Sequence, residues 1–333
     1  MGKVMIYGAT GYTGGLTSER AKHTGLDFML AGRTHSSLQS IAVTLDVPYR
    51  VFDLENSDLI DLSLDGITTL LNCAGPFART AGPLIEACMR NGIHYLDTSA
   101  ELGTYLFAER NDFKAKAANV MLLPGCGGSV ATFGCLVSRT CENLGDIQSV
   151  DLALHVSGPM SRGSAITARE GLSAECLQRR DGELRTQEAT RTALFDFADG
   201  RGPVDCFPVT LPEIITTYKF FGVRSIRTFA NASGTAFPDG DLDALPDGPT
   251  KVERDANPYH AAIAVTTTEG SIKRDVLRLV NGYTLVAVAS VEAARRVVAG
   301  DLLPGFQTSA TVFGASFIGS VTGTVLNPVA FLT

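Results

Sequence analysis

The seven cysteines of this 333-residue sequence form no Cys-x-x-Cys pair. They are odd in number and scattered from Cys73 to Cys206, which excludes a disulfide framework and fits a reduced, intracellular chain. The five histidines are equally dispersed. No His, Cys and carboxylate group has metal-ligand spacing, so no metal is expected. Positive charge is scarce as well: 28 Lys and Arg stand against 35 Asp and Glu, a net charge of −7. Nucleic acids and anionic membranes both require concentrated positive charge. A small molecule is therefore the expected partner. From residue 302 to residue 333 there is no charged residue at all. A membrane span needs about 20 predominantly apolar residues, and Gln307, Asn327, Pro328 and many Ser, Thr and Gly interrupt this one. It reads as a buried return segment. Nor does a signal-peptide apolar stretch follow Met1 and Gly2, since the first apolar run is a short strand. A cytoplasmic location is expected.

What is present begins at once, with VMIYGATGYTG at residues 4–14. A short apolar strand at 4–7 runs into Gly8, Ala9, Thr10, Gly11, Tyr12, Thr13 and Gly14, and a helix continues to about residue 23. The three glycines permit a tight turn, close approach of a pyrophosphate to the backbone, and close packing of helix on strand. The free N–H groups of the helix N-terminus then face the phosphates. The strand–turn–helix context is what gives this pattern its meaning. A ribose-reading carboxylate is sought about 20 residues further on. Asp27 satisfies the count but precedes the next strand, at 28–31. After that strand the sequence is GRTHSS: Arg33 suits a 2′-phosphate, with Thr34, Ser36 and Ser37 as neutral donors. NADP(H) is thus expected over NAD. Further strands are read at 49–52, 68–72, 93–97 and 120–123, with helices at 36–45, 80–91 and 105–118. Asp53, after the third strand, either flanks the adenine or caps the next turn. Cys73, Ala74, Gly75 and Pro76 form a tight loop at the carboxyl end of the fourth strand, where such sheets place the nicotinamide. Six strands alternating with helices make a full dinucleotide-binding layout.

At 333 residues the chain exceeds the usual size of one domain, about 100–150 residues, and after Pro124-Gly125 its texture changes. A helix at 129–140 precedes strands near 149–157, 193–197, 207–209, 225–229 and 261–267, set between Gly/Pro turns. Residues 165–180 read as one charged helix, and 286–298 as another. The expected division is a dinucleotide-binding domain at 1–124, a substrate domain at 125–282, and a helix with the uncharged return segment at 283–333 packing on the first domain.

Three stretches resemble the saccharopine dehydrogenase-like reductase superfamily: GATGYTG with LAGR; NCAGPFARTAGPLIEACMRNGIHYLDTSAE; and NGYTLVAVASVEAARRVVAGDLLPGFQTSATVFGASFI. The resemblance implies an α/β fold with an N-terminal Rossmann domain, an inserted α/β substrate domain with a mixed or largely antiparallel sheet, and a C-terminal segment returning to the Rossmann domain. It also implies a reductase or dehydrogenase with substrate held between the domains. Members act at imine or amino-acid C–N bonds or at enoyl double bonds. The sequence departs from the family pattern in three places. DTSAE stands for DxTGE, GCGGSVAT stands for GFDSxPxD, and Ser309 replaces a proline.

Proton-donor candidates are Asp97 and Glu101 beside the fifth strand, and His155, Tyr218 and Lys219 in the second half. Arg162, Arg169, Arg224 and Arg227 are candidate anion clamps. Cys73 and Cys126 are read as inert buried thiols. No Tyr-x-x-x-Lys dyad follows the fourth strand. The expectation is an NADPH-dependent reductase of a C=N or C=C bond in a small, largely apolar metabolite, a secondary metabolite or lipid-like molecule, with a homodimer as the assembly that common symmetry suggests. The alternatives are a catalytically inactive NADP-binding sensor or scaffold, motivated by the missing GFDSxPxD residues, a saccharopine-type amino-acid dehydrogenase, and an isomerase or epimerase.

Overall fold

Val4, Met5 and Ile6 are completely buried, as expected of a central strand covered on both faces. In this computed structural model, which describes residues 2–172, 175–188, 190–236, 241–326 and 330–332, that strand is the centre of the first of two units. The unit proceeds as β1 (Val4–Tyr7), α1 (Tyr12–His23), β2 (Phe28–Gly32), α2 (His35–Leu45), β3 (Tyr49–Val51), α3 (Ser57–Ser63), β4 (Thr69–Asn72), α4 (Phe77–Asn91), β5 (His94–Asp97), α5 (Leu102–Arg110), α6 (Asp112–Ala117) and β6 (Met121–Leu123). The strands lie in the order β6-β5-β4-β1-β2-β3 and are parallel. The order reverses between β1 and β4, which makes their carboxyl ends the switch point where such sheets bind ligands. The single helix expected over 105–118 is two helices, because Asn111 leaves helical geometry and donates its side-chain amide back to the Phe107 carbonyl at 2.9 Å.

The second unit contains α7 (Ser129–Cys141), β7 (Ile147–Ser157), α8 (Arg162–Leu172), β8 (Leu177–Arg180), β9 (Glu183–Thr186), β10 (Ala193–Phe195), β11 (Val204–Pro208), α9 (Glu213–Phe221), β12 (Ile226–Ser233), α10 (Lys251–Ala256), β13 (Tyr259–Thr267) and β14 (Ile272–Leu279). Its sheet is mixed: β12 and β7 are parallel, whereas β11–β12, β7–β13 and β13–β14 are antiparallel. Helices α7 and α9 pack against it. The helix expected at 165–180 is corrected: α8 ends at Leu172, and Leu177–Arg180 opens a hairpin. Asp181 and Gly182 turn it with φ of 53° and 90°. That Asp-Gly pair is a strong hairpin signal. Strand β14 and helix α9 were also outside the expectation.

The chain then forms α11 (Gly282–Val298), β15 (Gly305–Phe306) and α12 (Ser309–Phe313), with β15 extending the first sheet beside β6. Two last strands, β16 (Val325–Leu326) and β17 (Ala330–Leu332), pair with β14 in the second sheet. The units are Met1–Gly128 with Tyr283–Phe313, and Ser129–Gly282 with Gly314–Thr333. The return segment is therefore shared: only its portion through Phe313 groups with the first unit. Among the described residues no helix is long and apolar enough to cross a membrane.

Candidate functional site

Gly8 ends β1 with φ +82°, and a Cβ there would meet the Ala74 backbone nitrogen at 2.7 Å. Its N–H donates to the Ala31 carbonyl at 2.9 Å. The turn thus wedges between the loops that follow β2 and β4. Gly14 packs tighter still, since a Cβ there would lie 2.1 Å from the Gly8 carbonyl oxygen. Gly11 is the N-cap of α1; it has no side chain to cap the helix, and no acidic residue occupies the first turn. The first-turn N–H groups of Tyr12, Thr13 and Gly14 are consequently suited to an anion. Ala9 is buried beneath the turn, whereas Thr10 and Gly11 are exposed. Tyr12 meets Tyr283 edge-on at 5.2 Å.

Arg33, Thr34, Ser36 and Ser37 are all exposed at the carboxyl end of β2. Asp27 is placed at the other end of that strand, where its carbonyl accepts from the Val4 N–H. Sequence reasoning passed over Tyr7. Its ring lies 5.1 Å from Phe52, and its hydroxyl is pushed up to about 12, by burial first, while Arg33 lowers it and Asp53 raises it. Arg33 and Asp53 therefore share one patch beside the end of β1. Asp53 itself accepts from the Glu55 N–H at 3.0 Å, which is a turn-capping role.

The β4 loop is held by a buried polar network that ends at Asp97. Asn72 accepts from the Ala74 N–H at 3.0 Å and donates to Thr80 and to the Tyr95 hydroxyl. Thr80 donates to the Ala74 carbonyl at 2.6 Å. The Tyr95 hydroxyl donates to Asp97 at 2.8 Å, and the other Asp97 oxygen accepts from the N–H groups of Ser99 and Gly125. Asp97 is fully buried. Burial raises its carboxyl to about 6, against the opposing pull of these three donors. Its contacts make it a brace tying together the loops after β4, β5 and β6. Gly75-Pro76 is a cis peptide bond at the turn into α4.

Glu101 has an equally defined place. Its carboxylate accepts from the N–H groups of Phe77 and Ala78 at 2.9 and 2.7 Å, so it caps α4 from the neighbouring loop. Cys73 is pushed up to about 12 by burial, and Cys126 is raised by the same cause. Neither thiol ionises near neutral pH.

The departures from the family pattern touch one another. Ser309 donates its hydroxyl to the Cys126 carbonyl at 3.1 Å, a bond that a proline could not supply. A Cβ on Gly127 would meet the Val286 carbonyl at 2.7 Å, and one on Gly125 would collide with the Tyr105 hydroxyl. The GCGG loop is built to lie against Tyr105 and α11.

The candidates of the second unit are not gathered into one centre. His155 lies on β7, buried, with Nε2 2.9 Å from Ser233 Oγ. Tyr218 and Lys219 are half-buried on α9. The Arg179 guanidinium lies 4.0 Å from the centre of the Tyr218 ring. Of the arginines, Arg227 grips Asp151 at 2.6 and 2.8 Å, Arg162 holds the Leu245 carbonyl, and Arg224 holds the Asp181 carbonyl. These three are committed within the unit, and Arg169 is exposed. The fold does bring together a group that spacing concealed, because His155, Asp199 and His260 each place a ligand atom within 4.8 Å of the others. The expectation that no such cluster exists is corrected on this point. A β-register 105 residues apart in sequence created it.

The saccharopine dehydrogenase NADP binding domain profile matches residues 4–123, the span of the first six strands. A trans-acting enoyl reductase of Mycobacterium leprae is 27% identical over 224 residues, covering 62% of this chain and 53% of that protein. A human saccharopine dehydrogenase-like oxidoreductase is 26% identical over 181 residues, covering 47% of this chain and 42% of its own. The chain thus spans about half the length of these curated relatives. The apo saccharopine dehydrogenase (L-Glu forming) of Saccharomyces cerevisiae superposes over 100% of both chains, with a TM-score of 0.66 at 11% identity, a likeness of fold. The glycine turn and the braced β4 loop fall on the same residues as the profile, so residues 4–123 form a saccharopine dehydrogenase-type NADP binding domain.

Proposed function

We propose that this protein is an NADPH-dependent reductase of a C=C or C=N bond in a small, largely apolar metabolite. The observation that carries the reading is the uncapped start of α1 above Gly8 and Gly14, with Arg33 exposed at the end of the adjacent strand and no acidic residue in the segment 33–37 that follows it. The N–H groups of α1 receive the pyrophosphate. Arg33, with Thr34, Ser36 and Ser37, receives the 2′-phosphate, which a carboxylate in that place would repel. Residues 73–76 form the floor under the nicotinamide, kept in place by Asn72, Thr80, Tyr95 and Asp97. NADPH supplies the hydride when bound. The chain's part is to hold that donor about 3–3.5 Å from the acceptor carbon and to exclude water. The enoyl reductase relative favours C=C reduction.

A second reading is a nucleotide-binding sensor without turnover. Its support is that the candidate proton donors Asp97 and Glu101 are already occupied by hydrogen bonds to their own fold.

The test is transfer of deuterium from C4-deuterated NADPH, using the full chain with alkyl enoyl thioesters and with cyclic imines. Deuterium on one face of the reduced product supports the reductase. NADPH binding with no label transfer to either class supports the sensor and rejects the reductase.

A further inference from the structure

We propose that His155, Asp199 and His260 form a binding site for a divalent transition-metal ion of the zinc class within the second unit. The sheet register sets the first two ligands. His155 on β7 lies directly opposite His260 on β13 and opposite Asn231 on β12, and directly paired residues project from the same face of a sheet. The two Nδ1 atoms are 3.4 Å apart. Two nitrogens bound to a tetrahedral zinc at about 2.0–2.1 Å stand about 3.3–3.4 Å from each other. The spacing is that of ligands awaiting one ion.

The neighbours of His155 agree with this role. Its Nε2 is 2.9 Å from the Ser233 hydroxyl. With Nε2–H donating there, Nδ1 keeps its lone pair for a metal, the usual arrangement around a ligating imidazole. Both rings are buried, at 5% and 7% exposure, and Phe197 covers His155 with ring centres 5.5 Å apart.

The third ligand arrives from the loop after β10. Asp199 accepts three bonds from Arg201: one from its backbone N–H at 3.1 Å and two from its guanidinium at 2.6 and 2.8 Å. A carboxylate has about four lone-pair positions, so these bonds leave a place for a metal. Arg201 is 40% exposed along its side chain. Burial first, and the Arg201 charge after it, help keep both imidazoles neutral, the form in which they bind a metal. Two neutral imidazoles and one carboxylate leave a fourth position for water or a ligand oxygen. A hydrogen bond between the two imidazoles would account for the 3.4 Å separation alone. It gives no reason for a carboxylate to be brought to the same point.

The test uses the full chain, stripped with a chelator and then titrated with Zn²⁺ by calorimetry and with Co²⁺ by visible absorption. The expected result is one Zn²⁺ per chain and tetrahedral cobalt bands without the sulfur charge-transfer absorption that a cysteine site would add. His155→Gln and His260→Gln should abolish this uptake. Ser233→Ala should weaken it by about tenfold, since it removes only the group orienting His155. If either glutamine variant fails to fold, Asp199→Asn, on the covering loop, carries the same test and should weaken binding by at least tenfold. Failure of the stripped protein to take up one Zn²⁺, sulfur-to-cobalt absorption, or wild-type affinity in the folded variants would overturn the site.

Discussion

Gly14 lies so close beneath Gly8 that a Cβ on Gly14 would stand 2.1 Å from the Gly8 carbonyl oxygen. The atom in the way is backbone, so no side-chain rotation relieves the contact. Gly14→Ala should push α1 away from β1, destabilise the chain by on the order of 3 kcal/mol, and lower affinity for NADPH. Thermal melts with and without NADPH check both effects. A variant that melts and binds like the wild type would remove the close-packing argument.

Arg33 is the discriminating residue of the proposed NADP site. A charge-assisted hydrogen bond contributes about 1.5–3 kcal/mol, so Arg33→Ala should weaken NADPH binding by about 10- to 100-fold and leave NADH binding nearly unchanged. Loss of both affinities in parallel would point instead to damage at the turn.

Glu101 should behave as a helix cap. Glu101→Ala leaves the Phe77 and Ala78 N–H groups without their carboxylate and should reduce stability by about 1–2 kcal/mol. Denaturant unfolding measures this loss. Unchanged stability, accompanied by a collapse of turnover, would return Glu101 to the chemistry.

Glu213, in the first turn of α9, supplies a pH dependence. It is fully buried, neither carboxylate oxygen makes a hydrogen bond of normal geometry among the described residues, and burial raises it to about 7, with Ser129 lowering it in part. Its folded pKa lies above the unfolded value of 4.5. Between those values the folded state binds more protons, so stability must fall as pH rises from 4.5 toward 7. The whole effect is about 3 kcal/mol. Glu213→Gln should flatten that slope and make the chain more stable than wild type at pH 8. Parallel stability profiles for the two proteins would reject the assignment.

The first unit was legible because its determinants are local. Val4–Tyr7, the three glycines and Arg33 follow one another along the chain, and strand position alone disqualified Asp27. The roles of Asp97 and Glu101 were not legible, because their partners come from other loops: Gly125 for one, Phe77 and Ala78 for the other. The departures in GCGG and at Ser309 also looked like separate losses until the fold joined Ser309 to Cys126. In the second unit, Asp181-Gly182 was a readable hairpin signal overridden by the charged, helix-like residues before it. Strand β14 was hidden by its charges, two of which are buried: Asp275, which faces Arg139 at 3.3 Å, and Lys273. The pairing of His155 with His260 depends on sheet register, which no spacing rule reports.

The central claim is that the first unit selects and holds NADPH. Calorimetric titration of the full chain with NADPH and NADH tests it most directly. The account predicts one NADPH bound per chain, at least about tenfold tighter than NADH, a difference of about 1.4 kcal/mol. Equal affinities for the two nucleotides, or no binding of either, would contradict it.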